Sequence, residues 1–410
     1  MSRRVVVTGM SGVTAFGNSW ADIEPRLRAC ENAVRYMESY EQYDGLNTKL
    51  AAPIENFSLP AHYTRKKIRS MGRVSQLSTL ATEQALEQSG LMGNPVLTNG
   101  ETGIAYGSST GSTPAIGAFG VMLNDKTTSA ITATTYVQMM PHTTAVNVGL
   151  FFGLKGRVIP TSSACTSGSQ AIGYAYEAIK HGYQTVMVAG GAEELCPTES
   201  AVFDTLFATS LKNEKPGTTP SPWDTERDGL VIGEGAGSLI LEEYEHAKAR
   251  GAKIYAEIIG YASNCDAAHV TQPQMETMQI CMEMALKQAQ VAPSEIGYVS
   301  AHGTATEKGD IAESNATANI FGNNAPISSL KSYLGHTLGA CGAIEAWLSL
   351  EMMHTGWFHP TLNLNNIDER CGNLDYIRGE GRELQTDCIM SNNFAFGGIN
   401  TSLIFKKLAD

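Results

Sequence analysis

Short apolar runs alternate along the chain with longer stretches in which apolar residues return every third or fourth position. Runs such as Val5-Val6-Val7, Ile104-Ala105-Tyr106 and the tracts at 185–189, 238–242 and 254–260 predict strands, because sheet residues buried on both faces read as continuous apolar segments. Leu77, Leu80, Ala81, Ala85 and Leu86 share one face of a helix that stops at Gly90. Ala171, Ile172, Ala175, Ala178 and Ile179 do the same before Gly182. Strand, helix and strand over 158–194 predict a βαβ unit with parallel strands and a right-handed crossover. Beyond Gly260 the pattern starts again: a helix over 276–290, a strand over 296–301, a helix after Asp310 and a strand over 326–330. A glycine- and alanine-rich helix through Glu345, Trp347 and Leu350 and a last strand over 388–392 complete it. Residues 20–62 read as irregular and surface-lying, and 115–160 as short helices and loops. The expected fold is α/β, one compact unit of two related halves, 1–250 and 251–410, with no linker long enough to separate them.

Composition narrows the class. With 42% hydrophobic and 17% charged residues, the 410-residue chain reads as globular rather than disordered. A net charge of −12 disfavours nucleic acid or an anionic membrane surface as partner. No apolar run of about 18 residues offers a bilayer span. Two arginines precede Val5-Val6-Val7 as in a signal peptide, but the apolar core is too short, so a first strand and a cytoplasmic compartment are expected. Eight cysteines without a CxxC pair argue against a zinc module or a disulfide framework. One segment runs against the acidic balance: 64–73 carries five basic residues within nine positions. It reads either as a solvated helix start or as a docking patch for an acidic partner. The glycines of Gly233-Glu234-Gly235-Ala236-Gly237 precede a strand rather than open a helix, which excludes a dinucleotide loop.

The chemistry gathers where strands end. Cys165, in Thr161-Ser162-Ser163-Ala164-Cys165-Thr166-Ser167-Gly168, sits between a strand and a helix, where free N–H groups and the helix dipole favour a thiolate. The plainer reading is a small buried residue in a tight turn. His302, Lys331 with His336, and the loop Phe394-Ala395-Phe396-Gly397-Gly398-Ile399-Asn400 follow three later strands, where parallel sheets collect functional groups. Either histidine alone would fit a structural role, hydrogen-bonded to a carbonyl. Together, two histidines donating through ring N–H groups would hold a carbonyl oxygen as it becomes an enolate. A nearby Lys331 cation, itself paired by Glu345, would keep those rings neutral. Backbone N–H groups of Cys165 and Phe396 would form a second oxyanion hole for attack on a cysteine-bound thioester. That combination describes a Claisen condensation.

These segments, with Ala301-His302-Gly303-Thr304-Ala305-Thr306-Glu307-Lys308-Gly309-Asp310 and Lys331-Ser332-Tyr333-Leu334-Gly335-His336-Thr337, resemble the β-ketoacyl-[acyl-carrier-protein] synthases of thiolase fold, nearest the elongating type I/II enzymes. The resemblance spans essentially the whole chain, including Arg227-Asp228-Gly229. It implies a five-layered αβαβα homodimer in which Cys165 takes the acyl group, His302 and His336 promote malonyl decarboxylation, and Lys331 and Glu345 organise that site. It further implies that Thr304 and Thr306 contact a phosphopantetheine arm, that Phe396 gates the site, and that Lys66 and Arg69 dock an acidic acyl carrier protein. Acyl and malonyl thioesters are the implied substrates; no metal or redox cofactor is implied. Ala395 and Ile399 replace a glycine and a threonine usual in the gating loop, and Thr110 is polar where relatives often carry isoleucine or glycine. Alanine resists φ > 0, so the gate is expected to move differently. An unusual acyl chain, such as a conjugated polyene or an aryl-primed one, is expected. The competing readings are a coenzyme A-dependent thiolase-like enzyme, a thioesterase using one histidine, and a catalytically silent chain-length partner in a heterodimer. Such partners typically lack the cysteine.

Overall fold

The computed structural model describes residues 2–408. Five strands of the first half are β1 (Val5–Val13), β2 (Thr102–Gly107), β3 (Val158–Thr161), β4 (Val186–Glu193) and β5 (Gly235–Glu243), standing side by side in the order β1-β5-β4-β2-β3. Five of the second half are β6 (Ala256–Cys265), β7 (Tyr298–Ser300), β8 (Pro326–Ser328), β9 (Cys388–Phe394) and β10 (Ile399–Lys406), in the order β6-β10-β9-β7-β8. Counted from its own first strand, each half has the same order. Directions repeat as well: β2 runs parallel to β3 and β4, and β7 parallel to β8 and β9. β5 and β10 are antiparallel to both of their neighbours. The halves join edge to edge where β1 pairs antiparallel with β6.

Six helices build the layers: α1 (Arg73–Gln88), α2 (Ser167–Lys180), α3 (Pro197–Asp204), α4 (Met275–Ala289), α5 (Glu307–Phe321) and α6 (Cys341–Thr355). α2 and α6 pack on each other and touch strands of both halves, so they form a central layer between two sheets. α1 covers the outer face of the first sheet, and α4 with α5 that of the second. This is the five-layered αβαβα arrangement of the thiolase fold. Because α6 is enclosed between sheets, it is buried almost all round, from Cys341 to Met353. Close approach explains the glycine cluster at 233–237. A Cβ on Gly237, inside β5, would stand 2.7 Å from the carbonyl carbon of Ala343 on α6. No helix of the described residues is long and apolar enough to cross a membrane.

The structure corrects two expectations. Residues 20–62 are not irregular throughout: a helix spans Trp20–Arg28, with Ser19 accepting the Asp22 N–H as its cap and Ile23 and Leu27 buried. Pro25 and the polar remainder hide that short period. Within the same segment, Leu50–Ala52 joins Arg35–Tyr36 and Ile232–Gly233 in a small sheet. The strand at 388–392 is not the last, since β9 runs on to Phe394 and β10 returns beside it. Asn400, Thr401 and Ser402 of β10 are buried, because the strand lies between two others, and their polarity masks it in the sequence. The basic segment is a short, largely exposed helix, Arg65–Ile68, followed by a turn and α1, in agreement with its reading as a solvated helix start. Arg73 leaves the cluster to bond Glu234 at 2.8 Å.

Candidate active site

β3 delivers the chain to Cys165, which lies in a single tight turn, Ala164–Thr166, before α2. Ala164 adopts φ +50°, a left-handed conformation that costs an alanine of order 1 kcal/mol. Hydrogen bonds hold it there. The Ser163 N–H donates to Ser167 Oγ at 2.9 Å, Ser167 Oγ donates to the Ala164 carbonyl at 2.7 Å, and Thr161 Oγ1 donates to the Ser167 carbonyl at 2.8 Å. The same strain recurs at Ala305, φ +64°, and Leu338, φ +46°, each within three residues of a site histidine. The expectation of a stabilised thiolate is corrected. Burial pushes the Cys165 thiol up, and the N–H groups of Phe396 and Cys165 and the Lys331 charge offset only part of that.

His336 follows the short helix Lys331–Leu334 and brings Nε2 to 3.0 Å from Cys165 Sγ. The Leu338 N–H donates to His336 Nδ1 at 3.2 Å, so Nε2 carries the ring hydrogen. His302 leaves the end of β7. Its own N–H and that of Gly303 donate to the two oxygens of Glu313, each at 2.7 Å. Asn393 Nδ2 donates to Glu345 Oε2 at 2.7 Å, which fixes its amide, and makes a longer 3.4 Å contact to His302 Nδ1. That leaves His302 Nε2 bearing hydrogen too. The two rings stand nearly perpendicular with centroids 5.2 Å apart, and one ligand-type atom from each of Cys165, His302 and His336 lies within 4.8 Å of the others.

Beneath them Lys331 Nζ bonds Glu345 Oε1, both side chains fully buried. Burial alone would lower the ammonium, but Glu345 and the nearby Cys341 and Glu313 outweigh it, and Lys331 keeps its proton. Its charge adds to burial in pushing His302 and His336 well below the ordinary histidine range. Both imidazoles are therefore neutral donors at physiological pH. A Cys-His-His trio at this spacing has the look of a metal centre. Here the fixed cation opposes a second charge, and the Nε2 atoms present hydrogens rather than lone pairs.

A cavity of about 430 Å³ opens onto the trio, with Thr304, Thr306 and Phe396 also in its wall. Thr304 and Thr306 share a hydrogen bond of 2.9 Å. Ala395 is not among the residues with positive φ, so the loop in this conformation asks no glycine of it; Gly397 and Gly398 take φ +91° and +78°. Thr110 lies outside the cavity wall, its N–H donating to Glu193 at 3.1 Å. Lys66 and Arg69 are solvent-exposed and also outside it. Ser70 bonds Asn147 at 2.8 Å.

Four supporting residues escaped the sequence reading. Asn393 links Glu345 to His302, and Glu313 holds the His302 backbone. Asp310 accepts the N–H groups of Trp223 and Ala305. Glu193 accepts those of Ser109, Thr110 and Gly339. Asp310 and Glu313 could have been suspected from their place in the first turns of a helix directly after the His302 segment, where carboxylates reach back to free N–H groups. Asn393 and Glu193 carry no such signal, because their partners are distant in sequence.

Since burial holds Cys165 as a thiol beside neutral histidines, its alkylation by iodoacetamide should accelerate about tenfold per pH unit from about pH 7 to pH 9. Peptide mass spectrometry separates it from the other cysteines. A rate already level below pH 7 would mean a thiolate–imidazolium pair instead.

Comparison with known proteins accords with this geometry. Sequence profiles of the β-ketoacyl synthase N-terminal and C-terminal domains match residues 2–247 and 255–365. The 3-oxoacyl-[acyl-carrier-protein] synthase 2 of Vibrio cholerae serotype O1 is 37% identical over 414 residues, covering 99% of both chains. A crystal structure of a β-ketoacyl synthase from Burkholderia phymatum STM815 superposes with a TM-score of 0.98 at 58% identity, covering 99% of this chain and 100% of that one. A type II polyketide ketosynthase, solved with its acyl-carrier protein and bound to a hexaketide, superposes with a TM-score of 0.88 at 31% identity over the full length of both. With both family profiles matched in sequence order and relatives aligned over almost the whole chain, the chain belongs to the β-ketoacyl synthases, acyltransferases of thiolase fold.

Proposed function

We propose that the chain catalyses the decarboxylative Claisen condensation of an acyl group held on Cys165 with a malonyl thioester, both delivered on the phosphopantetheine of an acyl carrier protein. The observation that carries this reading is the convergence of two neutral Nε2–H donors on the space in front of Cys165 Sγ. In the first step Cys165 sulfur attacks the incoming acyl thioester, and the pantetheine thiol leaves with the proton. Malonyl thioester then enters the cavity past Thr304 and Thr306. Its C–CO2 bond breaks, CO2 departs, and the electrons move onto the thioester oxygen, which the His302 and His336 Nε2–H groups hold as an enolate. The enolate carbon attacks the acyl carbonyl on Cys165. The N–H groups of Cys165 and Phe396, which already point at the sulfur, receive the tetrahedral oxyanion. Collapse releases the β-ketoacyl thioester and expels the Cys165 thiolate, which takes a proton from water to restore the thiol. Loss of CO2 drives the step, so the reading requires neither metal nor free cofactor.

Lys66 and Arg69 are the proposed contacts for the acidic carrier, supported by their exposure in an otherwise acidic protein. A second copy is the proposed partner at the opposite edge of the first sheet. There β3 has no neighbour on its outer side among the described residues, and Leu150 (72% exposed) leaves apolar surface on a helix packed against it. The pathway, fatty-acid or polyketide extension, follows from whichever acyl chain is accepted.

Cys165→Gln should lower condensation by at least about a thousandfold while malonyl decarboxylation persists, because the enolate site stays intact. His302→Ala should still acylate Cys165 but lose about 100- to 1,000-fold in decarboxylation, the worth of one oxyanion donor. Assays of CO2 release, acyl-enzyme mass and β-ketoacyl product separate these steps; normal condensation by either variant contradicts its assigned role. Sedimentation at micromolar concentration should give a dimer, and a monomer would remove the proposed edge-to-edge pairing.

A further inference from the structure

α3 ends at Asp204, and the chain leaves it through a closed turn. The Phe207 N–H donates to the Asp204 carbonyl, and the Ala208 N–H to the Phe203 carbonyl, each at 3.0 Å. Two such bonds satisfy the last carbonyls of a helix and put a left-handed residue at the turn, ordinarily glycine. Here that residue is Phe207, at φ +55°. The turn accounts for its backbone but not for its side chain, since glycine would close the same turn without strain. Core packing does not account for the ring either, because Phe207 is 92% exposed. A strained backbone and an aromatic ring in water fall on one residue, and neither contributes to the fold.

Phe207 is part of a patch. Leu206, Phe207 and Val270 all line the active-site cavity, yet Leu206 is 41% and Val270 56% exposed, which places the three on its lip. Val270 comes from a different segment, tied to the gating loop by the Gly397 N–H, which donates to its carbonyl at 2.9 Å. The lip is therefore apolar on two sides, as interaction sites are. One constraint selects its occupant. A partner seated there permanently would close the route to Cys165, so the partner must come and go with the substrate. A carrier protein meets that condition: while its thioester is at Cys165, the phosphopantetheine arm runs out through the mouth and holds the body of the carrier against the rim.

We propose that Phe207 is the apolar anchor of a carrier-docking surface on the cavity lip, packing with Leu206 and Val270 against apolar side chains beside the carrier's phosphopantetheine attachment. The inference rests on the condensing-enzyme reading above and adds to it the part of the surface that the carrier covers. Lys66 and Arg69 steer the acidic carrier from a distance, and Phe207 holds it once it arrives.

The test titrates the full-length protein with the phosphopantetheine-bearing acyl carrier protein of the same organism by calorimetry, and follows CO2 release from the malonyl-loaded carrier. Phe207→Asn, which suits a left-handed turn, should weaken binding at least about tenfold, as loss of an aromatic anchor does. KM for the malonyl carrier should rise by a similar factor, with kcat within about twofold. Phe207→Tyr should keep most of the affinity. The factor for Phe207→Asn should persist from about 0.05 M to about 0.5 M salt, because an apolar contact is not screened, whereas the factor for Lys66→Ala should shrink. A thermal melt at or above wild type shows that Phe207→Asn is folded, since the substitution relieves strain. Carrier binding by Phe207→Asn as tight as that of wild type overturns the inference, and so does a loss that disappears at high salt. Phe207→Asn sedimenting as a monomer where wild type is a dimer also overturns it, making the lip a subunit contact. Wild type that binds the carrier but releases no CO2 overturns the condensing-enzyme reading, while the comparison of carrier affinities still decides the role of Phe207.

Discussion

The buried pair of Lys331 and Glu345 is the interaction on which the site depends. A lone ammonium enclosed between two sheets would lose its proton. Glu345, itself held by Asn393, lets Lys331 keep it, and the retained charge keeps His302 and His336 neutral. Removing either partner of such a pair typically costs about 3–5 kcal/mol, because the other is left charged and unpaired. Desolvation of both charges offsets most of their attraction, so the intact pair adds little net stability and acts chiefly as a determinant of proton positions. Two imidazoles that both donate, rather than one donor and one base, suit the proposed enolate hole and not a hydrolytic dyad.

The repeated sheet order explains how the parts meet. After the third strand of each half comes the residue around which that half is built: Cys165 after β3, Lys331 after β8. After the second strand come the Ser108–Thr110 loop and the His302 loop; after or at the end of the fourth come Glu193 and the Phe396 loop. Folding the two sheets over α2 and α6 brings these equivalent ends together. In the proposed reaction one half would contribute the nucleophile and the surroundings of its acyl group, and the other the groups that act on malonate. The same strand order thus frames two chemically distinct sides of the proposed reaction.

Much of this was legible from residue order. Alternating strand and helix patterns located eight of the ten principal strands closely, and the small-residue turn at Cys165, the histidines at strand ends and Lys331 before His336 marked the site. What escaped had physical causes. β10 is central in its sheet yet carries buried asparagine, threonine and serine, satisfied by neighbours that sequence does not reveal. The thiolate expectation weighed the local helix end but not the enclosure between two sheets, and burial won. Asn393 and Glu193 act across long sequence separations. Ala395 takes no positive φ in this conformation of the loop, whereas Gly397 and Gly398 do.

The most direct test of the central claim is the protonation of the two active-site rings, read by 15N NMR of protein labelled only in histidine, with His302→Gln and His336→Gln variants assigning the signals. At about pH 6, where an unperturbed histidine is largely protonated, both rings should be neutral with hydrogen on Nε2. Imidazolium shifts for either ring, or hydrogen on Nδ1 of His336, would contradict it.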